Sequence, residues 1–318
     1  MKAQNSIEIE RQLREALGDE RPYRSFTEGL YDVSTLYRGY RIGVPETRNT
    51  CYDAKVYAHY LQTGKTPDDI AEALARTLHD RSISNAMRKF LKNYDERSVV
   101  GIMGGHGLLR TDEAYVKIAF LSKRLTEGGA LMVSGGGPGA MEATHLGAWM
   151  AGRTKEDLEE ALQIMQSAPA FTDEKWLDTS LEVMAMFPQT KYHSLGIPTW
   201  LYGHEPTTPL ATEIAKFFDN SIREDTILVT ASGGIIYAPG SAGTVQELFQ
   251  DATQNHYLSF GYASPMIFLG KHFWMEEVPM YPMLNQLVRT GRYRNLRLTI
   301  TDDSMKIVRE IEKFRRGE

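Results

Sequence analysis

The residues best able to do chemistry in this chain lie in the segment Pro239-Gly-Ser-Ala-Gly-Thr-Val-Gln-Glu247. An apolar run from Gly234 to Ala238 predicts a strand before it, and Thr244 is predicted to cap a helix that runs to about Asn255. A small-residue turn between a strand and a helix leaves backbone N–H groups unpaired at the positive end of the helix dipole. Such a turn binds anions, phosphate above all. The segment therefore predicts a phosphate site with a carboxylate, Glu247, close behind it.

The spacing of Thr244 and Glu247 also fits a capping box, in which the glutamate only caps its own helix. A second Gly-rich turn, Gly135-Gly-Gly-Pro-Gly-Ala140, follows another predicted strand and favours a ligand site. This turn formally fits the dinucleotide fingerprint G-x-G-x-x-[GA]. The fingerprint, however, belongs after the first strand of a domain, and Pro138 lies where its helix should start. We interpret the turn as a cradle for phosphate or ribose.

Composition excludes several classes of function. The chain has 318 residues, a formal net charge of -5 and 42% hydrophobic residues, which is ordinary for a globular protein with no attraction to nucleic acid or anionic membranes. The single cysteine, Cys51, excludes a disulfide framework and a Cys-based zinc site. The histidines show no metal-binding spacing, so we predict no metal. Without an apolar run of membrane-spanning length or a signal peptide, we expect a soluble cytoplasmic protein.

From about residue 98 onward, predicted strands alternate with predicted helices. The predicted strands are 98–103, 130–134, 194–198, 234–238, 265–269 and 296–300, and the segment 208–230 is predicted to be mostly helical. Because the strands are apolar throughout, we expect a parallel sheet covered on both faces, an α/β Rossmann-like doubly wound fold. Ligands of such sheets bind beyond the carboxyl ends of the strands, where three of these strands have Gly-rich loops.

The chain divides into two predicted regions. Residues 1–97 form a predicted all-helical N-terminal extension without Gly-rich loops or metal-binding spacing. Residues 98–318 form the predicted Rossmann-like nucleotide-binding domain. The extension could cover a sheet edge, form an oligomer contact or hold a regulator, and its sequence leaves these alternatives open.

Two motifs in this order resemble those of the Lonely Guy (LOG) family. Ser134-Gly-Gly-Gly-Pro-Gly-Ala-Met-Glu142 resembles its GGGxxGxM motif, and the segment ending at Glu247 resembles its PGGxGTxxE motif. Between them, Glu205-Pro-Thr-Thr-Pro-Leu210 is similar to the E-P-x-x-P-L segment of the larger bacterial branch, the pyrimidine/purine nucleotide 5′-monophosphate nucleosidases. The resemblance covers roughly residues 98–270, and the helical extension also suits this branch.

The resemblance implies an enzyme that hydrolyses the N-glycosidic bond of a nucleoside 5′-monophosphate, giving free base and ribose 5-phosphate without a cofactor. It implies a homodimer or higher homo-oligomer. It also assigns Glu247 as the carboxylate near the anomeric carbon, Arg223 as the group that holds phosphate or orients Glu247, and Glu142 as a second catalytic candidate. The implied substrate- and phosphate-binding residues are Gly104, Gly105, Gly136, Gly137, Gly240, Ser241, Gly243 and Thr244. From the residues alone, Arg223 could equally be a solvated helix arginine, and Glu142 an acid favoured by the helix dipole.

The chain departs from the family pattern at two positions. Ser241 replaces the second glycine of the PGG motif and would be strained if that position needs a positive φ. Gln246 replaces the first glutamate of a frequent pair and lowers the local negative charge. His106 and His204 could contact the base, but histidines beside such loops are more often simple hydrogen-bonding residues.

These departures leave a rival hypothesis, a non-catalytic nucleotide- or cofactor-binding sensor or carrier on the same fold. LOG-like proteins that carry the molybdenum cofactor are the precedent that the resemblance supplies. Retention of Glu247 and Arg223 favours the enzyme, since a pure binder has less need of a carboxylate beside the sugar. A lysine decarboxylase is excluded, because no lysine lies in a recognisable site for a pyridoxal cofactor.

Overall fold

Seven parallel strands form one sheet in the computed structural model, which describes residues 2–18 and 20–318 and the side chains of these from residue 8 onward. The strands are β1 Val99–Met103, β2 Leu131–Ser134, β3 Ser194–Gly196, β4 Glu213–Ile214, β5 Ile235–Tyr237, β6 Pro265–Leu269 and β7 Arg297–Thr301. Their order in the sheet is β4-β3-β2-β1-β5-β6-β7. Every neighbouring pair is parallel, which confirms the predicted doubly wound α/β fold.

Twelve α-helices of the described residues surround this sheet. The N-terminal region contains α1 Lys2–Leu17, α2 Val33–Leu36, α3 Tyr52–Thr63 and α4 Ile70–Leu91. The helices between the strands and after them are α5 Glu113–Glu127, α6 Ala140–Trp149, α7 Lys155–Gln166, α8 Trp176–Met186, α9 Asn220–Thr230, α10 Ala242–Tyr257, α11 Met280–Arg289 and α12 Ser304–Arg315. The helices found in the part of the chain that the structure describes are too short or too polar to cross a membrane.

Both faces of the sheet are buried, and this explains its continuous apolar strands. Successive side chains of a strand point to opposite faces. On β1, Val99 and Met103 belong to one hydrophobic core, and Val100 and Ile102 belong to the other. A strand covered on both sides needs apolar residues at every position rather than at alternate ones.

The helical N-terminal region covers the β4 edge of the sheet. Tyr31 and Ile214 exchange backbone hydrogen bonds of 2.9 and 2.8 Å, which pair the otherwise open edge strand with an antiparallel residue. The Asp80 carboxylate on α4 accepts from the backbone N–H groups of Phe218 and Asp219 at 3.0 and 2.8 Å. A covered edge cannot pair with another chain through its backbone. Of the three roles considered for the N-terminal region, these contacts show that it covers a sheet edge.

The predicted helix over residues 208–230 is wrong in its first half. That half contains β4, which is only two residues long, and α9 begins at Asn220. Asp219 is the N-cap, and its carboxylate accepts from the backbone N–H of Ser221 at 2.8 Å. A two-residue edge strand with one polar residue is too short to show the alternation typical of strands. The sequence pattern therefore could not distinguish the segment before α9 from a helix.

Candidate functional site

The Gly-rich loops meet at the point where the strand order reverses. β1 lies between β2 and β5, so the chain leaves it toward opposite sides of the sheet, which opens a crevice at the carboxyl ends of the strands. Three loops close on this crevice. The Gly105 N–H donates to Pro239 O at 3.0 Å, and the Ala140 N–H donates to Gly105 O at 3.2 Å. The loops after β1, β2 and β5, predicted separately from sequence, therefore line one site.

Glycine is required where these loops touch. A Cβ placed on Gly104 would lie 2.8 Å from Cβ of Ala140, and one placed on Gly240 would lie 3.1 Å from the backbone nitrogen of Gly105. Gly139 has a φ of +69°, and its Cβ would overlap the backbone of the β1 loop. Gly243, by contrast, has nothing within 4 Å of a Cβ position, so it faces open space. The glycines at the loop contacts thus allow the backbones to approach closely, and the position of Gly243 stays accessible.

The helix after β5 begins earlier than predicted. Ser241 is the N-cap of α10, and the predicted cap, Thr244, is instead buried in the first turn. The φ of Ser241 is -110°, so the replacement of glycine by serine causes no strain here. The Ser241 side chain makes no capping hydrogen bond, so it leaves the first N–H groups of the helix uncapped. Uncapped N–H groups at a helix N-terminus are what an anion needs.

Glu247 lies on the first turns of α10 as a partly buried carboxylate. The pKa of Glu247 is raised to about 7. Burial is the largest cause, and the negative charge of Glu224 adds to it, whereas the positive charge of Arg223 acts in the opposite direction. The capping box with Thr244 is not formed, since α10 is capped at Ser241. A carboxyl group with a pKa near neutrality is suited to accept or hold a proton during a reaction.

Two loops fix the Arg223 side chain. Its Nε donates to Ile197 O at 2.8 Å, on the loop after β3. Its Nη2 packs so closely on Gly135 that a Cβ on that glycine would overlap it. The side chain is half-buried, and its charge acts on Glu247. These contacts distinguish Arg223 from a solvated helix arginine and join it to the Gly-rich loop after β2.

Glu142, on the first turn of α6, has no exposed surface. Its carboxylate accepts from Arg110 at 2.9 and 2.6 Å and from the Tyr115 hydroxyl at 2.8 Å. Arg110 is 1% exposed and also donates to Thr179 and Ser180 at 2.8 and 2.6 Å. In this geometry Glu142 has no path to a ligand. It holds the loop after β1 against α6 and α8.

A second buried network supports the Gly-rich loop after β2. Ser134 Oγ accepts from the Gly136 N–H at 3.1 Å and lies 2.8 Å from Nε2 of His145. Nδ1 of His145 lies 2.9 Å from Ser194 Oγ. Burial lowers the pKa of His145 to about 3, so the ring stays neutral and one nitrogen accepts while the other donates. This histidine orders the loop from below, and nothing in its local sequence indicated that role.

Asp251 lies one helical turn beyond Glu247, on the same face of α10. The Tyr237 hydroxyl donates to its Oδ2 at 2.6 Å, and the Asn255 amide donates to its Oδ1 at 3.1 Å. Burial raises the pKa of Asp251 to about 7, although the hydrogen bond from Tyr237 lowers it. Two acidic groups that ionise near neutral pH therefore share one helix face behind the crevice.

We expect Asp251→Asn to change how stability depends on pH. The native protein keeps the Asp251 proton up to about pH 7, whereas an unfolded aspartate loses it near pH 4. Between these values the native state binds more protons, so this group makes the free energy of unfolding fall as pH rises. The stability of the variant relative to the unmodified protein should therefore rise from pH 4 to pH 8, by at most about 1.4 kcal/mol per pH unit. Urea unfolding at several pH values measures it, and a constant difference would contradict the raised pKa.

Among the residues that the structure describes, no group of three or more His, Cys, Asp or Glu side chains is arranged to hold a metal ion. The groups near the three loops include a carboxyl group, a guanidinium and uncapped backbone N–H groups. The chain is a Rossmann-like α/β protein whose Gly-rich loops meet at the topological switch point of its sheet.

No protein-family model and no curated protein matches this chain. Among solved structures, the chain is similar to the molybdenum cofactor binding protein from the phototrophic bacterium Rippkaea orientalis, with 13% sequence identity and a TM-score of 0.43. The match covers 68% of this chain and 96% of that chain. Both the identity and the TM-score are too low for this likeness to indicate a ligand or a reaction. Membership of the LOG family stays a prediction.

Proposed function

We propose that the protein hydrolyses the N-glycosidic bond of a nucleoside 5′-monophosphate, giving free base and ribose 5-phosphate. The observation that carries the proposal is that the charge of Arg223 acts on the Glu247 carboxyl group while the same guanidinium packs on Gly135, in the Gly-rich loop after β2. A carboxylate, a guanidinium and an anion site are the groups that cleavage of a phosphorylated glycoside requires. The resemblance of the two Gly-rich motifs supports the same reaction.

The 5′-phosphate binds at the N-terminus of α10. The backbone of Gly240, Ser241 and Gly243 surrounds the uncapped N–H groups there, and Thr244 adds a hydroxyl. The ribose then lies toward Gly105 and the Gly136–Gly137 turn, on the opposite wall. Phosphate binding through backbone N–H groups does not depend on the base. Binding energy from the phosphate can thus position the sugar for reaction.

Glu247 acts at the anomeric carbon. Glycosidic cleavage passes through a transition state in which the sugar ring gains positive charge, and a nearby carboxylate stabilises that charge. The same carboxylate accepts a proton from the attacking water. A pKa of about 7 makes it a stronger base than an ordinary glutamate while leaving it largely ionised above neutral pH. The positive charge of Arg223 favours the ionised form of Glu247 and attracts the phosphate.

The two departures from the family motif are compatible with this function. Ser241 adopts an unstrained φ of -110°. Gln246 is exposed and donates to Glu224 Oε2 at 2.8 Å on the neighbouring helix α9. Neither change removes a group from the crevice. We further propose that the protein acts as a homodimer or higher homo-oligomer, as the family resemblance implies.

A panel of nucleoside 5′-monophosphates, each beside its unphosphorylated nucleoside, tests the proposal. Free base is followed by chromatography. We expect base release from at least one monophosphate and at least tenfold less from the matching nucleoside, because the nucleoside lacks the group that binds α10. Equal cleavage of both would contradict the phosphate site, and no cleavage of any monophosphate would favour the sensor or carrier.

A further inference from the structure

A histidine–glutamate pair joins the loop after β1 to the loop after β3. His106 follows the Gly104–Gly105 turn after β1, and Glu205 lies on the long loop after β3. Nδ1 of His106 is 3.4 Å from Oε1 of Glu205. The imidazole also packs edge-on against Phe171, with ring centroids 6.1 Å apart. The ring is thus held on two sides, while half of the side chain remains exposed.

The pair belongs to the same crevice as the predicted catalytic residues. Oε2 of Glu205 faces Gly137, where a Cβ would lie 3.7 Å from it. In the strand order β3-β2-β1-β5, Glu205 comes from the β3 side and Glu247 from the β5 side. His106 follows β1, a strand between them, so the pair reaches from the middle of the crevice toward its β3 side.

A cavity lined by the sequence neighbours of Glu205 and Phe171 offers room for a base. It has a volume of about 650 Å³ and lies between the N-terminal region and the loop that carries Glu205. His204 and Pro206, which flank Glu205, line it together with Asn49 and Tyr57. Thr172, next to Phe171, also lines it. An aromatic ring and an amide that can donate and accept are suited to a planar heterocycle.

We infer that His106 is the proton donor to the leaving base, that Glu205 positions its ring, and that the adjoining cavity receives the base. The inference rests on the proposed function. Glu205 keeps Nδ1 of His106 turned toward itself, so Nε2 is the nitrogen free to donate. Histidine is the side chain that most often serves as a general acid or base in enzymes.

The step balances as the addition of one water. The C1′–N bond breaks, its electron pair moves to the base, and the proton on His106 Nε2 is transferred to the base. The water oxygen bonds to C1′ and gives a proton to Glu247. That proton returns to His106 through solvent, which leaves neutral base and ribose 5-phosphate. Glu247 and His106 are then the base and the acid on opposite sides of the sugar.

The test compares two leaving groups in the full-length protein. One substrate is the monophosphate that the unmodified protein cleaves fastest, and the other is 4-nitrophenyl β-D-ribofuranoside 5-phosphate, whose leaving group departs without a proton. We expect His106→Gln and Glu205→Gln to lower base release about 10²-fold, the lower end of the usual effect of a general acid, and to lower 4-nitrophenolate release less than tenfold. Glu247→Gln should lower both.

The control is a similar pair outside the crevice. His193 lies just before β3, and its Nδ1 is 3.6 Å from Oε1 of Glu213 on β4. His193→Gln should therefore change neither rate. Thermal unfolding checks that all variants are folded. Equal losses on both substrates, no loss on either, or an unmodified protein that cleaves only the nucleotide would overturn the inference. An unmodified protein inactive toward every monophosphate would overturn the proposed function itself.

Discussion

Replacing Glu247 with glutamine is expected to lower base release by about 10²–10⁴-fold, the usual contribution of a general base. Glutamine has the shape of the glutamate but can neither accept the proton of water nor offset the positive charge on the sugar. Measured with saturating monophosphate, the loss should fall on kcat rather than KM, because the phosphate site on α10 is untouched.

Glu247→Gln should leave the fold intact and raise the free energy of unfolding at alkaline pH. Burial raises the pKa of Glu247 to about 7, so ionising this group above pH 7 costs more free energy in the native state than in the unfolded chain. Above pH 7 the variant escapes this cost, and its melting temperature should equal or exceed that of the unmodified protein. Thr253→Ala, at an exposed position of the same helix, is the control and should keep full activity. Unchanged turnover in Glu247→Gln would contradict the assigned role.

Replacing Arg110 with alanine is expected to lower the free energy of unfolding by about 3–5 kcal/mol, the usual cost of breaking a buried ion pair. The substitution leaves the Glu142 carboxylate with no exposed surface and without its bidentate partner. Only the Tyr115 and Ser180 hydroxyls remain as donors to it. Urea unfolding measures the change.

Two comparisons show whether this effect arises from the buried charge. The double variant Arg110→Met/Glu142→Leu removes both charges and should recover part of the loss, because no carboxylate is left unpaired. Lys155→Ala breaks an exposed 2.9 Å pair with Glu159 and should change stability by about 0.5 kcal/mol or less. A folded Arg110→Ala variant of unchanged stability would contradict the structural role and reopen the prediction that Glu142 acts on substrate.

The fold was predictable because its determinants are local. Strands β1, β2 and β5 are short apolar runs followed by Gly-rich turns. A parallel sheet covered on both faces needs apolar residues at every strand position, so this pattern is visible without knowing how the strands pair. β4 was missed because it is two residues long and is an edge strand completed by Tyr31, far away in the chain. The start of α10 was misplaced because Ser241 and Thr244 are both good caps, and only the backbone distinguishes them.

The site was predictable only where it follows the strands directly. Glu247 and the glycines lie in motifs, so sequence alone could single them out. Arg110 lies outside them, and its partner Glu142 is 32 residues away and Ser180 is 70 away. The roles of Asp251 and His145 depend on burial, which raises one pKa and lowers the other. Such environments arise from tertiary packing and leave no local pattern.

The most direct test of the central claim is to quantify both products from the monophosphate that is turned over fastest. We predict free base and ribose 5-phosphate in equal amounts, formed at the same rate. Release of inorganic phosphate with intact nucleoside would contradict it, since the broken bond would then be the phosphate ester. A nucleotide recovered unchanged, with the protein stabilised by its presence in thermal unfolding, would instead establish a binding protein.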